Sequence, residues 1–144
     1  MANALKPISA TAATLTLDRH IHRDTVVSLN RAAGVTVTLP AASGSGDRYY
    51  VHVGTTVTLN NHIIQVANSS DTMAGVITTA TTTTGAGTHE AAGGTDDTIT
   101  MNGSTTGGIV GSYFELIDVA TNLWMVVGHM VGSGVLATPL SAAV

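Results

Sequence analysis

The sequence predicts an all-β protein: a compact antiparallel β-sandwich, jelly roll or barrel-like domain with extended N- and C-terminal arms. Three observations lead there. Apolar and polar residues alternate in short runs, turn residues recur at close intervals, and no stretch carries a convincing helical period. The clearest signal lies in Gly34 to Val66. Val35, Val37 and Leu39 alternate with Thr36 and Thr38 until Pro40 and Ser43-Gly44-Ser45-Gly46 end the run. Further strands are expected at Tyr49 to Val53, at Thr56 to Asn60 and, past the Asn60-Asn61 turn signal, at His62 to Val66. Their close succession predicts a meander or a stack of hairpins.

The other elements follow in order. Residues 1–13 are small, Ala-rich and without sustained period, an arm ordered only by what holds it. The β-domain is expected over residues 14–131. Thr14 to Leu17 opens it with Leu15 and Leu17 on one face. Asp18 to Asp24, DRHIHRD, is the most charged segment and interrupts the pattern, which Thr25 to Asn30 resumes. Ala67 to Thr72 is a turn by composition, and Met73 to Thr79 a strand centred on Val76 and Ile77. Residues 81–94, four threonines followed by glycines, read as a long loop or a ribbon lying on a neighbour. Thr98 to Met101 ends at Asn102-Gly103, a strong hairpin signal, although the downstream Ser104 to Gly108 lengthens the turn. Tyr113 to Val119 alternates, Ala120 to Asn122 turns, and Leu123 to Val127, LWMVV, reads as a mostly buried strand that continues toward Val131 past a bend at Gly128. Residues 132–144 form a second arm. The motif Thr-x-Thr-apolar recurs at Thr36, Thr56 and Thr98, but its unequal spacing argues against a solenoid repeat.

Composition narrows the function classes. With 144 residues the chain is one domain, large enough for a core without staples, and the absence of cysteine removes disulfides and thiolate metal sites. Charged residues make up 10%, against about 25% in ordinary domains. So little charge on a strand-rich chain predicts that much of the surface is covered, by copies of itself or by a partner; the competing reading is a Thr-rich surface kept soluble by its hydroxyls. The net charge of −4 and the scattered Lys6, Arg19, Arg23, Arg31 and Arg48 speak against nucleic acid as a partner. Aromatic residues are too few for a stacking platform or sugar-binding strip. No apolar run approaches about 18 residues, so no membrane span is expected, and residues 1–13 do not read as a secretory signal.

Few residues suggest chemistry. In a strand, Asp18, His20, His22 and Asp24 would share one face, but about 13 Å of extended chain separates the first from the last, so they cannot all reach one ion. His20 and His22 alone could, with a third ligand from elsewhere; the competing reading is a polar edge interleaved with Arg19 and Arg23. His52, His62, His89 and His129 are isolated in sequence and read as packed or surface histidines. Gly44-Ser45-Gly46 lacks the setting of a nucleophile elbow, and Asp71, Asp96 and Asp97 read as turn carboxylates. Trp124 reads as core. No catalytic residue, cofactor or metal ion is expected.

LNRAAGVTVTLPAASGSGDRYYVHVGTTVTLNNHIIQVANSSDTMAGVI and DTITMNGSTTGGIVGSYFELIDVATNLWMVVGHMVGSG resemble small virion proteins of tailed bacteriophages, including capsid decoration and cement proteins. The resemblance spans roughly Thr25 to Gly134 and is weakest over Thr81 to Gly94. It implies a non-enzymatic β-rich protein, commonly a homotrimer, mounted on the major capsid protein at the outer surface of the virion. On that reading the partner contacts are expected from Leu5, Lys6, Pro7 and Ile8 in the arm and from Arg19, His20, His22 and Arg23. The alternatives are a host-recognition module (fibre, spike or carbohydrate-binding tip) and a metal-dependent, cupin-like enzyme using His20 and His22.

Overall fold

The computed structural model describes residues 6–83 and 85–144. Val, Ile, Thr and aromatic residues at every second position, broken by Gly, Asn, Asp and Ser, set strands β1 (Ile8–Ala10), β2 (Thr14–Thr16), β3 (Val26–Leu29), β4 (Thr36–Thr38), β5 (Arg48–Val53), β6 (His62–Gln65), β7 (Thr72–Thr81), β8 (Gly87–Ala91), β9 (Thr98–Met101), β10 (Tyr113–Ala120), β11 (Leu123–Gly132) and β12 (Leu140–Ser141). Seven form one sheet in the order β1-β3-β5-β10-β11-β7-β8, and five form a second in the order β12-β9-β6-β4-β2. The expected all-β class is thus the one observed.

The connectivity differs from the expected antiparallel meander. Through the first six strands the chain alternates between the sheets, laying β1, β3 and β5 parallel in the larger and β2, β4 and β6 parallel in the smaller. This half is a short stack of β-coils, contrary to the rejection of a solenoid. Thr14, Leu15 and Thr16 lie in register on Thr36, Val37 and Thr38, which lie in turn on Ile63, Ile64 and Gln65. Stacking requires equal strands, not equal loops, so coils of unequal length leave no fixed period in the sequence. Antiparallel pairing is confined to the second half and its joins, as in β10 with β5 and β11, β7 with β8, and β9 with β6 and β12.

Three further expectations are corrected. Ile8–Ala10 is a sheet strand, not arm, and Leu140–Ser141 pairs with Ile99 and Thr98, so both termini of the described chain join the sheets. Thr56 to Asn60 forms no strand. Val57 N–H donates to Gly108 C=O, and the Thr58 and Leu59 N–H groups donate to Ala32 C=O, so its backbone is satisfied by loops. Within residues 81–94, Gly87–Ala91 pairs back on β7 as a hairpin at the edge of the larger sheet. Asn102-Gly103 opens the lengthened turn through Gly108, with the Gly103 N–H donating to Gly107 C=O. Gly103 adopts φ +82° and a Cβ there would strike the Val57 carbonyl, while Asn102 Oδ1 accepts from the Ser104 and Thr106 N–H groups.

The core fills the space between the sheets. One row of the larger sheet presents Val27, Val51, Phe114, Gly128 and Ile77, and one row of the smaller presents Leu15, Val37, Ile64, Ile99 and Leu140. Gly128 is small for a reason, since a Cβ there would stand 2.9 Å from the Phe114 ring. Trp124 is buried as expected and meets Tyr49 edge-on, with ring centroids 5.7 Å apart.

Candidate functional site

The charged segment is a set of turns, not a strand. The His22 N–H donates to Asp18 C=O, and the Asp18 N–H donates to His22 Nδ1 at 2.9 Å. His22 is therefore buried beneath its own turn while His20 points outward into solvent. Coiling the backbone destroys the shared face that the metal reading required, and no group of three metal-ligating side chains exists among the described residues. Arg19 and Arg23 fold onto Asp47, with Arg19 Nη2 2.9 Å from Oδ2 and Arg23 Nη1 3.4 Å from Oδ1. Burial of Asp47 favours its neutral acid, but the hydrogen bond and charge of Arg19, helped by Ser45 and Arg23, win and hold the carboxyl below its ordinary value. Of the arm residues, Leu5 lies outside the described residues, Lys6 and Pro7 are exposed, and Ile8 packs against the protein's own core. Among the described residues of that set, Arg19 and Arg23 meet at Asp47, His22 is buried, and Lys6, Pro7 and His20 are exposed.

A coherent surface appears elsewhere, on the outer face of the larger sheet. Successive registers align Val26, Tyr50, Glu115, Val127, Val76 and Ala91 in one row across six strands. The next row toward one end carries Arg48, Ile117, Met125 and Ala74. Val76, Val127 and Met125 are 50%, 39% and 36% exposed, although β11 is apolar on both faces. Such a strand is ordinarily covered on both sides. Charge is sparse here: the Arg48 guanidinium meets Glu115 at 2.9 Å, and the Tyr50 and Tyr113 rings stack at 6.2 Å.

The row on the other side brings together histidines that the sequence keeps far apart. Ser28, His52, Tyr113, His129, Thr78 and His89 occupy consecutive strands in register. His52 Nδ1 lies 3.1 Å from Ser28 Oγ, and His89 Nδ1 lies 3.1 Å from Thr78 Oγ1. The opposite surface of the molecule contrasts with this one. On the outer face of the smaller sheet, Thr14 pairs with Thr36 and Thr16 with Thr38, hydroxyls suited to water.

Two polar groups that resemble site residues are structural. His62 is fully buried; its Nδ1 accepts from the Val35 N–H and its Nε2–H donates to Thr55 C=O, both at 3.1 Å. Burial lowers its pKa, outweighing the Thr55 bond. Asp118 is buried inside the Ser43–Ser45 loop, which wraps it with three N–H groups and two hydroxyls at 2.7–3.1 Å. The Ser-Gly-Ser-Gly run is thus a carboxylate cradle. Comparison of the chain with protein-family models, with curated proteins and with solved structures gives no match.

Proposed function

We propose that this protein is a non-enzymatic building block of a virus particle that self-associates through the outer face of its larger sheet. As a homotrimer it decorates or cements the capsid, bound to the major capsid protein at the outer surface. The observation that carries self-association is the bare apolar field of Val76, Val127 and Met125, flanked by half-buried Ile117, on strands whose other face already fills the core. At about 4.8 Å between strands and about 3.3 Å per residue, a seven-stranded face some six residues long spans on the order of 700 Å². That is close to the roughly 800 Å² per partner of a standard interface. Three copies that turn this face toward a common axis cover it in all three, leaving the threonine-lined face in water.

The capsid setting rests on the resemblance of Thr25 to Gly134 to small phage virion proteins. A trimer on a symmetric shell gains effective concentration for its second and third contacts. Binding the assembled shell and not its separated subunits stabilises the shell by mass action. The test combines light scattering on the purified protein with co-sedimentation against capsids assembled without it. The expected result is a mass three times 14.5 kDa and saturable binding that raises the temperature of genome release. A monomer that ignores expanded shells would overturn the proposal.

A further inference from the structure

A cleft of about 390 Å³ opens where the coils turn, on the side of the smaller sheet away from the proposed interface. Its walls are the turn at Arg31, Ala33 and Gly34, the Asn60-Asn61 turn, the first residues of β2 and β4, Thr14 and Thr36, and Ile63 in β6. The size is within the usual range for a small-molecule site. Each coil supplies one wall, so the cleft is a product of the stacking and not of one flexible loop.

The polar groups that line it are held in place by backbone carbonyls and keep part of their hydrogen-bonding capacity unused. Arg31 is half-buried, and its Nη1 donates to Ala33 C=O at 3.0 Å and Gly34 C=O at 2.7 Å, which fixes the plane of the guanidinium. Arg19, Arg23 and Arg48 each face a carboxylate, but among the described residues Arg31 has none within ion-pair distance. Asn60 Nδ2 donates to Ala33 C=O at 3.2 Å, leaving its Oδ1 open. The side chains of Asn61, Thr14 and Thr36 make no hydrogen bond among the described residues. Gly34 backs directly on the Asn61 backbone: a Cβ there would strike the Asn61 carbonyl, so the two turns are locked together.

We infer that this cleft binds a saccharide carrying one carboxylate, such as a uronic acid. With Nη1 taken by the Ala33 and Gly34 carbonyls, the guanidinium faces no carboxylate among the described residues and keeps Nε–H and Nη2–H as a planar pair of donors for a single anionic group. The amides and hydroxyls around it supply the mixture of donors and acceptors that sugar hydroxyls need, and Ile63 gives a small apolar wall for a C–H face. A dianion such as phosphate would find only one positive charge here. The site is independent of the proposed shell-mounting role and remains open when the opposite face is covered.

The test is an amide-detected NMR titration of the intact protein with glucuronate, its methyl glycoside, glucose and acetate. The expected result is saturable shifts at Arg31, Gly34, Asn60 and Asn61 with glucuronate, with a Kd of about a millimolar. The methyl glycoside separates two sources of the same chemistry: binding equal to glucuronate marks the terminal unit of a glycan, and weaker binding marks a free sugar acid. Arg31→Gln is expected to weaken glucuronate at least tenfold. Asn61→Ala, which removes no internal hydrogen bond, is expected to weaken it several-fold with an unchanged spectrum elsewhere. Acetate binding as tightly as glucuronate overturns the saccharide assignment, glucose binding as tightly overturns the role of Arg31, and no saturable shift with glucuronate overturns the site.

Discussion

Replacing Asp118 by Asn isolates the contribution of the Ser43–Ser45 cradle. In the native protein Oδ1 accepts from the Ser43 and Gly44 N–H groups at 3.0 and 2.7 Å, and Oδ2 accepts from Ser43 Oγ, Ser45 N–H and Ser45 Oγ at 3.0, 3.1 and 2.7 Å. The best fit for Asn keeps its carbonyl at the Oδ1 position and turns its amide toward the serines. Both hydroxyls can rotate to accept, but the Ser45 N–H is left facing another donor. One unpaired buried N–H costs about 1–3 kcal/mol, and the remaining bonds lose their charge assistance. The expected total is about 3 kcal/mol, a fall of roughly 10 °C in Tm for a chain of this length. The pH dependence gives an independent check. Burial favours the neutral acid, yet the bonds from Ser45, Gly44 and Ser43 prevail and hold the Asp118 carboxyl below its ordinary value. Stability from this group is present above the unfolded carboxyl value of about 3.9 and disappears as pH falls through the folded one. Thermal melts of the two proteins should therefore differ by a constant margin from pH 5 to 8 and converge below about pH 4. A loss under about 1 kcal/mol, or a margin that does not narrow in acid, would refute the reasoning.

Other perturbations follow from the same geometry. His62→Ala leaves the Val35 N–H and Thr55 C=O unpaired beside a cavity and is expected to cost about 3–4 kcal/mol in chemical denaturation. Because folded His62 resists the proton that the unfolded chain accepts, native stability should decline as pH drops below about 6.5, and the variant should lose that component of the slope. Gly103→Ala forces a Cβ against the Val57 carbonyl at φ +82° and should cost about 2 kcal/mol or more, read by Tm. Arg19→Ala removes a half-exposed guanidinium from a carboxylate that Arg23 still faces, so it should cost about 1 kcal/mol while raising the Asp47 carboxyl toward its ordinary value in an NMR titration.

The strands were legible where one side of the pattern was clear. Val35, Val37 and Leu39, Tyr49 to Val53, and Tyr113 to Val119 stand in the elements their alternation predicts or immediately beside them. Thr56 to Asn60 has the same pattern and fails, because Val57 is buried under a loop and its backbone is claimed by Ala32 and Gly108. Parallel stacking was hidden for a different reason. The matching segments are TLTL at Thr14 and TVTL at Thr36, and the third member, IIQV at Ile63, retains only the apolar phase. Asp118 and Ser43 are bonded across a sequence distance that no local rule spans, so the Ser-Gly run read as a plain turn. The histidine row was invisible because register, not sequence spacing, brings His52, His129 and His89 together. The apolar face did leave a trace: Leu123 to Val127 read as buried, and Met125 and Val127 are buried only if something covers them.

That condition is tested most directly by light scattering of the native protein beside the double variant Val76→Lys, Val127→Lys, whose charges fall on paired positions of the outer row. A native mass three times 14.5 kDa and a variant mass of 14.5 kDa with unchanged far-ultraviolet circular dichroism are expected. A native monomer, or a variant that assembles as the native chain does, would contradict it.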